Sequence, residues 1–302
     1  MNPHTPPLFE GCATALVTPF RNGGLDKDAF IRILRHQIEG GADALVVAGT
    51  TGESPTLTDG EKQWLFTAAV REAEAASRKI PVIAGTGSNN TRRACELSRL
   101  AEDCGCDGLL VVTPYYNKAS EAGLIGHYEA VAEAASLPLI VYHVPSRTGC
   151  KLTPETCRRL SEHPHIAGLK DATGDLSFTA RVASLCGDFL PIYAGNDDQT
   201  LPILSLGGRG VISVVSNLYP AAVGELCRLW REGKTGEAKA LQLSLIPLCD
   251  ALFCEVNPIP VKAGMALLGL CSAEMRLPLT EADERVRAKV AGVLEAIPPA
   301  NL

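Results

Sequence analysis

Eight short apolar runs, each followed by a longer amphipathic stretch, constrain the fold of this chain more than any other feature of its sequence. The runs cover residues 12–17, 44–48, 81–84, 108–112, 137–142, 166–170, 190–194 and 211–215. Several are nearly unbroken Val, Ile, Leu and Ala, the pattern of strands buried on both faces in a parallel sheet. The stretches between them have helical periodicity. Residues 26–39 set Phe30, Ile33, Leu34 and Ile38 on one face, with Asp26 as N-cap. Thr58-Asp59-Gly60-Glu61 reads as a capping box ahead of Trp64, Leu65 and Ala68. Residues 91–104 carry Ala94, Leu97, Leu100 and Ala101, and Thr153-Pro154 opens a helix with proline at its first position.

Eight such alternations predict an α/β chain built as a (β/α)8 TIM barrel over residues 1–233. A doubly wound open sheet alternates in the same way, but no G-x-G-x-x-G follows the first strand and no Walker loop occurs. The polar residues also cluster just after the strands, the face where barrels hold their active sites. Past residue 233 the alternation stops. Helical stretches at 236–252, 261–270 and 281–295, with proline-bearing joints at Asn257-Pro258-Ile259-Pro260 and Leu277-Pro278, predict a C-terminal helical region over 234–302 packed on the barrel wall.

Charge and composition remove several classes of function. Lys plus Arg number 28 against 34 Asp plus Glu, and the resulting net charge of −6 gives nucleic acid no electrostatic handle. No apolar stretch reaches the roughly 18 residues of a membrane span. Met1 to Pro7 lacks the basic and apolar regions of a secretory leader, so a cytoplasmic protein is expected. The eleven cysteines are odd in number, scattered and free of any C-x-x-C pair, which points to reduced core thiols rather than a disulfide or zinc framework. The His163-Pro164-His165 segment is expected to be a solvated loop rather than a metal site.

Lys170 stands out within this frame. It closes the apolar run at 166–170, just before the turn-forming Ala172-Thr173-Gly174-Asp175. A lysine at the carboxyl end of a buried strand loses hydration of its charged form, and a neutral amine is what a carbonyl substrate needs to form a Schiff base. Gly49-Thr50-Thr51-Gly52-Glu53, after the second strand, offers backbone amides and hydroxyls to a carboxylate, although an ordinary capping loop looks the same. Tyr142 ends the neighbouring strand, where its phenol could move protons or simply satisfy a hydrogen bond. The Tyr115-Tyr116 pair after the fourth strand suits an interface. Arg147 offers a bidentate fork to a second carboxylate. All of these fall on one predicted rim.

On these residues the chain closely resembles the pyruvate-dependent class I aldolases of the dihydrodipicolinate synthase / N-acetylneuraminate lyase family. The matching motifs are Gly49-Thr50-Thr51-Gly52-Glu53-Ser54, Thr113-Pro114-Tyr115-Tyr116-Asn117, Tyr142-His143-Val144-Pro145-Ser146-Arg147-Thr148-Gly149, Gly168-Leu169-Lys170-Asp171-Ala172-Thr173-Gly174-Asp175, Ala194-Gly195-Asn196-Asp197-Asp198, Gly207-Gly208-Arg209-Gly210-Val211-Ile212-Ser213 and Asn257-Pro258-Ile259-Pro260-Val261-Lys262. The resemblance implies that Lys170 condenses with pyruvate and that the enamine attacks the aldehyde of L-aspartate 4-semialdehyde, giving 4-hydroxy-tetrahydrodipicolinate for diaminopimelate and lysine synthesis. It implies a proton relay of Thr51, Tyr142 and Tyr116, with Tyr116 reaching into the neighbouring subunit of a tight dimer, two of which make a tetramer. Thr50 and Thr51 would hold the pyruvate carboxylate, Arg147 that of the semialdehyde, and Gly195 and Ile212 would line the pyruvate pocket. No cofactor or metal is implied. Arg147 in its Pro-Ser-Arg-Thr setting favours the synthase branch over a lyase for N-acetylneuraminate or another keto-sugar acid.

Two departures from the family pattern carry expectations of their own. His143 replaces the usual asparagine at a position expected to border the site. Where lysine-sensitive members place histidine and glutamate around a pocket beside Tyr115, this chain has Asp59, Lys62 and Arg93, with Asn89 retained. Added positive charge disfavours a cationic effector, so weak or absent inhibition by lysine is expected.

Overall fold

Residues 7–297 are described by a computed structural model of the chain. Residues 1–6, on which the absence of a leader was read, lie outside the described residues. Eight parallel strands close into a barrel: β1 (Gly11–Ala15), β2 (Ala44–Val47), β3 (Val82–Gly85), β4 (Gly108–Val112), β5 (Leu139–His143), β6 (Ile166–Asp171), β7 (Ile192–Ala194) and β8 (Gly210–Ser213). Each pairs with the next in sequence, and β8 returns to β1 with Gly11 opposite Gly210. The predicted barrel is therefore present strand for strand, with ends displaced by at most two residues.

Side-chain parity divides the interior into two layers. Ala13, Ala44, Val46, Ile83, Leu110, Ile140, Tyr142, Tyr193 and Ile212 fill the lumen. Their neighbours Cys12, Leu45, Val47, Ala84, Leu109, Val141, Leu169 and Val211 face the helices. Phe9 stacks on Tyr193 at 4.3 Å between centroids and accepts a hydrogen bond from its phenol at 2.9 Å, closing the lumen below the site.

The helices are α1 (Lys27–Glu39), α2 (Asp59–Glu74), α3 (Thr91–Asp103), α4 (Glu121–Ala134), α5 (Pro154–Leu160), α6 (Leu176–Cys186), α7 (Thr200–Ser205), α8 (Pro220–Arg231), α9 (Thr235–Leu252), α10 (Ile259–Leu267) and α11 (Glu284–Ala296). Their starts follow the local chemistry read from sequence. Asp26 accepts from the Ala29 amide, Thr58 and Glu61 form a complete capping box, and Thr153 accepts from the Thr156 amide. Buried residues of α9, α10 and α11, among them Leu245, Val261, Met265 and Val290, belong to the same apolar cluster as the barrel–helix layer.

The tail is also fastened to the loop between β2 and α2. Lys262 in α10 pairs with Glu53 at 2.6 Å, both side chains essentially inaccessible to solvent. The backbone amide of Arg276 donates to the other Glu53 oxygen at 3.1 Å. The Phe20 ring is met by two cations, the Lys262 amine at 4.3 Å and the Arg276 guanidinium at 4.2 Å from its centre. All eleven cysteines are free. His163 and His165 are half-buried with their rings 5.7 Å apart, and no group of three or more metal-ligating side chains occurs among the described residues. Among those residues, too, no helix is long and apolar enough to cross a membrane.

Candidate active site

Register sets the two central side chains. On β5 and β6, Tyr142 pairs with Lys170, so both emerge from the same level of the lumen wall. The Lys170 amine lies 4.4 Å from the centre of the Tyr142 ring. Lys170 is 5% exposed and makes no hydrogen bond or ion pair among the described residues. Burial lowers its pKa from 10.5 to about 8; the carboxylate of Asp197 works against this shift, and the guanidinium of Arg147 adds to it. Asp197 is itself held by other partners: it accepts from the Ser213 hydroxyl and from the Val214 and Val215 amides at 2.9 and 3.2 Å. Its charge thus reaches the lysine as a field without capturing the amine in a salt bridge.

The β2–α2 turn presents its two threonines in different directions. Thr50 shares the cavity wall with the Tyr142 phenol, whose pKa is raised by burial and drawn back by the Arg147 cation and by the Thr50 hydroxyl. Thr51 is buried, and its hydroxyl oxygen accepts from the Asn257 side-chain amide at 3.0 Å. Thr50, rather than Thr51, therefore stands against the phenol, because consecutive residues of a tight turn diverge. Arg147 sits in a single helical turn, Pro145–Thr148, and donates to the Asn257 carbonyl at 3.1 Å. Asn257, supplied by the tail, thus ties Thr51 to Arg147. Its own side-chain oxygen is buried without a partner.

These groups surround a cavity of about 160 Å³ lined by Thr50, Thr51, Tyr142, Arg147, Lys170, Gly195 and Asn257. Gly195 has no room for a side chain, since a Cβ there would lie 2.6 Å from that of Ala172. Ile212 is not in the cavity wall. It packs in the lumen cluster with Tyr142 and Ala172, and Val214 lines the β8 side instead. A second cavity of about 400 Å³ shares the Thr50–Tyr142–Arg147 wall and includes Tyr115, Lys62 and Arg93.

Two further expected site residues lie elsewhere. Tyr116 is 88% exposed, outside both cavities, with a φ of 74° that a bulky side chain seldom adopts. His143 does not border the site. It follows Tyr142 on the same strand and therefore points out of the barrel, where its ring meets Phe178 at 4.9 Å and its Nε2 accepts from the Leu152 amide at 3.1 Å. Asp197, Asn257 and the Glu53–Lys262 pair were not singled out from sequence. Asp197 carried one available signal, an acidic residue immediately beyond a buried strand.

Comparison with known proteins matches this geometry to a single family. The model of the dihydrodipicolinate synthetase family matches residues 8–297. The chain belongs to the dihydrodipicolinate synthetase family. It is accordingly a lyase with the class I aldolase apparatus. Within the family it is 46% identical over 288 residues to the 4-hydroxy-tetrahydrodipicolinate synthase of Citrifermentans bemidjiense, covering 95% of this chain and 98% of that one. It superposes on the crystal structure of dihydrodipicolinate synthase from Thermotoga maritima with a TM-score of 0.94, at 41% identity, covering 98% of this chain and all of the other. The chloride-inhibited dihydrodipicolinate synthase of Acinetobacter baumannii, solved in complex with pyruvate, gives a TM-score of 0.92 at 41% identity, covering 95% and 98% of the two chains.

Proposed function

We propose that this chain condenses pyruvate with L-aspartate 4-semialdehyde to give 4-hydroxy-tetrahydrodipicolinate, the pyruvate being held as a Schiff base on Lys170. The observation that carries the reading is a buried, unpaired lysine amine whose pKa of about 8 leaves a usable neutral fraction, beside a phenol and below a guanidinium. The neutral amine attacks the pyruvate carbonyl carbon, and loss of water leaves an iminium. That cation acidifies the adjacent methyl group, whose proton leaves through the Tyr142 phenol, and the resulting enamine forms a carbon–carbon bond with the aldehyde, whose oxygen takes up a proton by the same route. The amine of the semialdehyde then adds at the iminium carbon, which closes the ring and releases Lys170. Tyr142 carries protons to and from the oxygens, and the Thr50 hydroxyl in the same cavity wall supports Thr50 as the next relay member. Thr51, fixed by Asn257, is left to meet the pyruvate carboxylate together with Thr50 and Gly195, while Arg147 receives the carboxylate of the semialdehyde. The lysine provides the electron sink, so the scheme calls for no cofactor or metal.

The exposed, left-handed Tyr116 is read as the third relay member of a neighbouring subunit, in a cytoplasmic tetramer built from tight dimers. Residues 1–233 are read as the catalytic barrel and 234–302 as its helical extension. The larger cavity has Lys62, Arg93 and Arg147 in its wall and no carboxylate, which supports insensitivity to lysine. Borohydride reduction in the presence of pyruvate, followed by mass spectrometry, tests the covalent step, and an unmodified Lys170 would overturn it. Turnover with pyruvate plus aspartate semialdehyde, without cleavage of N-acetylneuraminate, tests the acceptor. Half-maximal inhibition at sub-millimolar lysine would refute the insensitivity.

A further inference from the structure

One nitrogen has to meet two opposite demands in the reaction proposed above. To attack a carbonyl the Lys170 amine must be neutral, and burial favours that state. Once condensed, the same nitrogen must carry positive charge, because the iminium is what draws electrons from the neighbouring methyl group. Burial opposes this second state for the same reason that it favours the first, and an imine nitrogen is less basic than its parent amine. A negative charge that reaches the nitrogen as a field, without bonding to it, reconciles the two.

Asp197 has the geometry for this. It is buried just beyond β7, behind the catalytic cavity wall rather than in it: Gly195 and Asn196, which precede it, and Val214, which it bonds, are the wall residues. Three donated hydrogens hold its carboxyl group in the charged form. The Val214 and Val215 amides donate to one oxygen at 2.9 and 3.2 Å. The Ser213 hydroxyl accepts from the Ser216 amide at 2.9 Å and gives its own proton to the other oxygen. The titratable groups that face Asp197 from other elements are, apart from Lys170, buried thiols: Cys12 on β1, Cys227 on α8 and Cys249 on α9, each with its pKa raised by burial. Its chain neighbour Asp198 feels the charge of Asp250 on α9. Lys170 is the cation in the field of Asp197.

We infer that Asp197 is the counter-charge of the Schiff base, a positioning residue that acts through Lys170 and keeps the condensed nitrogen protonated while pyruvate gives up a methyl hydrogen. The inference rests on the Schiff-base reading. No bond forms or breaks at Asp197. The proton on the nitrogen stays there from dehydration to the enamine, and the methyl proton leaves by the route given above.

The test separates forming the imine from using it, in Asp197→Asn, which removes the charge and keeps an acceptor for the two amides. Trapping of pyruvate with borohydride is read by mass spectrometry, and exchange of the pyruvate methyl hydrogens for deuterium by NMR. At pH 7 the variant is expected to trap pyruvate at least as fast as the wild type, with the midpoint of its pH profile moved to lower pH. It should nevertheless exchange methyl hydrogens roughly tenfold more slowly. A merely structural role would slow both together and leave the midpoint in place; that result, or unchanged exchange, would overturn the inference. Ser213→Ala, which strips one of the three donors from the carboxylate, takes over if the asparagine variant does not fold, and the same split in smaller measure is then expected. An unmodified Lys170 in the wild type would overturn the Schiff-base reading itself, whereas a wild-type adduct without the split in the variant would overturn the counter-charge alone.

Discussion

A single amine sets the pH behaviour of the whole reaction. With a pKa of about 8, Lys170 is neutral in roughly a tenth of molecules at pH 7, against a few in ten thousand at its ordinary value of 10.5. The rate of trapping pyruvate with borohydride should therefore climb from pH 6 to 8 and level off above it, and Lys170→Ala should abolish the adduct at every pH. The same burial costs stability. The folded-state pKa lies below the unfolded one, so the penalty is fully present below pH 8 and fades as pH rises from 8 toward 10.5. A shift of this size corresponds to roughly 3 kcal/mol. Lys170→Met should thus melt above the wild type at pH 7, and the gain should shrink by pH 10; a constant or absent gain would refute the assignment. Asn257 acts on neighbours. Asn257→Ala removes the donor that fixes Thr51 and should raise the pyruvate KM several-fold, leaving the pH profile of adduct formation unchanged. His143, neutral with its pKa pushed down to about 4 by burial, faces away from the lumen, and His143→Asn should leave acceptor preference intact.

Among the elements, the β2–α2 loop is clamped hardest. Glu53 accepts from Lys262 on one oxygen and from the Arg276 amide on the other. Removing one partner of a buried pair typically costs about 3–5 kcal/mol, because the other charge is left stranded. Glu53→Gln should accordingly lower the urea midpoint and most of the activity together, since the same loop carries Thr50 and Thr51. Adding Lys262→Met should recover part of the stability; a double variant no more stable than Glu53→Gln would argue that the pair is not coupled. The elements differ in how legible they are in the sequence. The strands are readable because most are nearly unbroken apolar runs, and capping side chains mark most of the helix starts. Parity along β5 even carries the information that His143 points outward once Tyr142 is placed inward. Thr50 and Thr51 are harder, since adjacent hydroxyls in a turn have no period to sort them. Asn257 meets Thr51 across 206 positions, and no local pattern encodes such a contact.

For the whole molecule, the proposed reach of the exposed Tyr116 into a neighbouring subunit's site has a direct consequence. Co-expression of Lys170→Ala with Tyr116→Ala checks this directly. If Tyr116 crosses a two-fold interface, a mixed dimer regains one intact site, so random pairing should restore about a quarter of wild-type activity. Two inactive parents that stay inactive together would place Tyr116 outside the relay. The clamp between tail and barrel has a further consequence, for synthesis of the chain. When β8 has left the ribosome, all eight strands exist. Asn257, Lys262 and Arg276 are still to come, so Thr51 has no anchor and Glu53 is buried without its counter-charge. Catalytic competence is therefore withheld until the last quarter of the message has been read, because that stretch supplies the anchor of Thr51 and the counter-charge of Glu53.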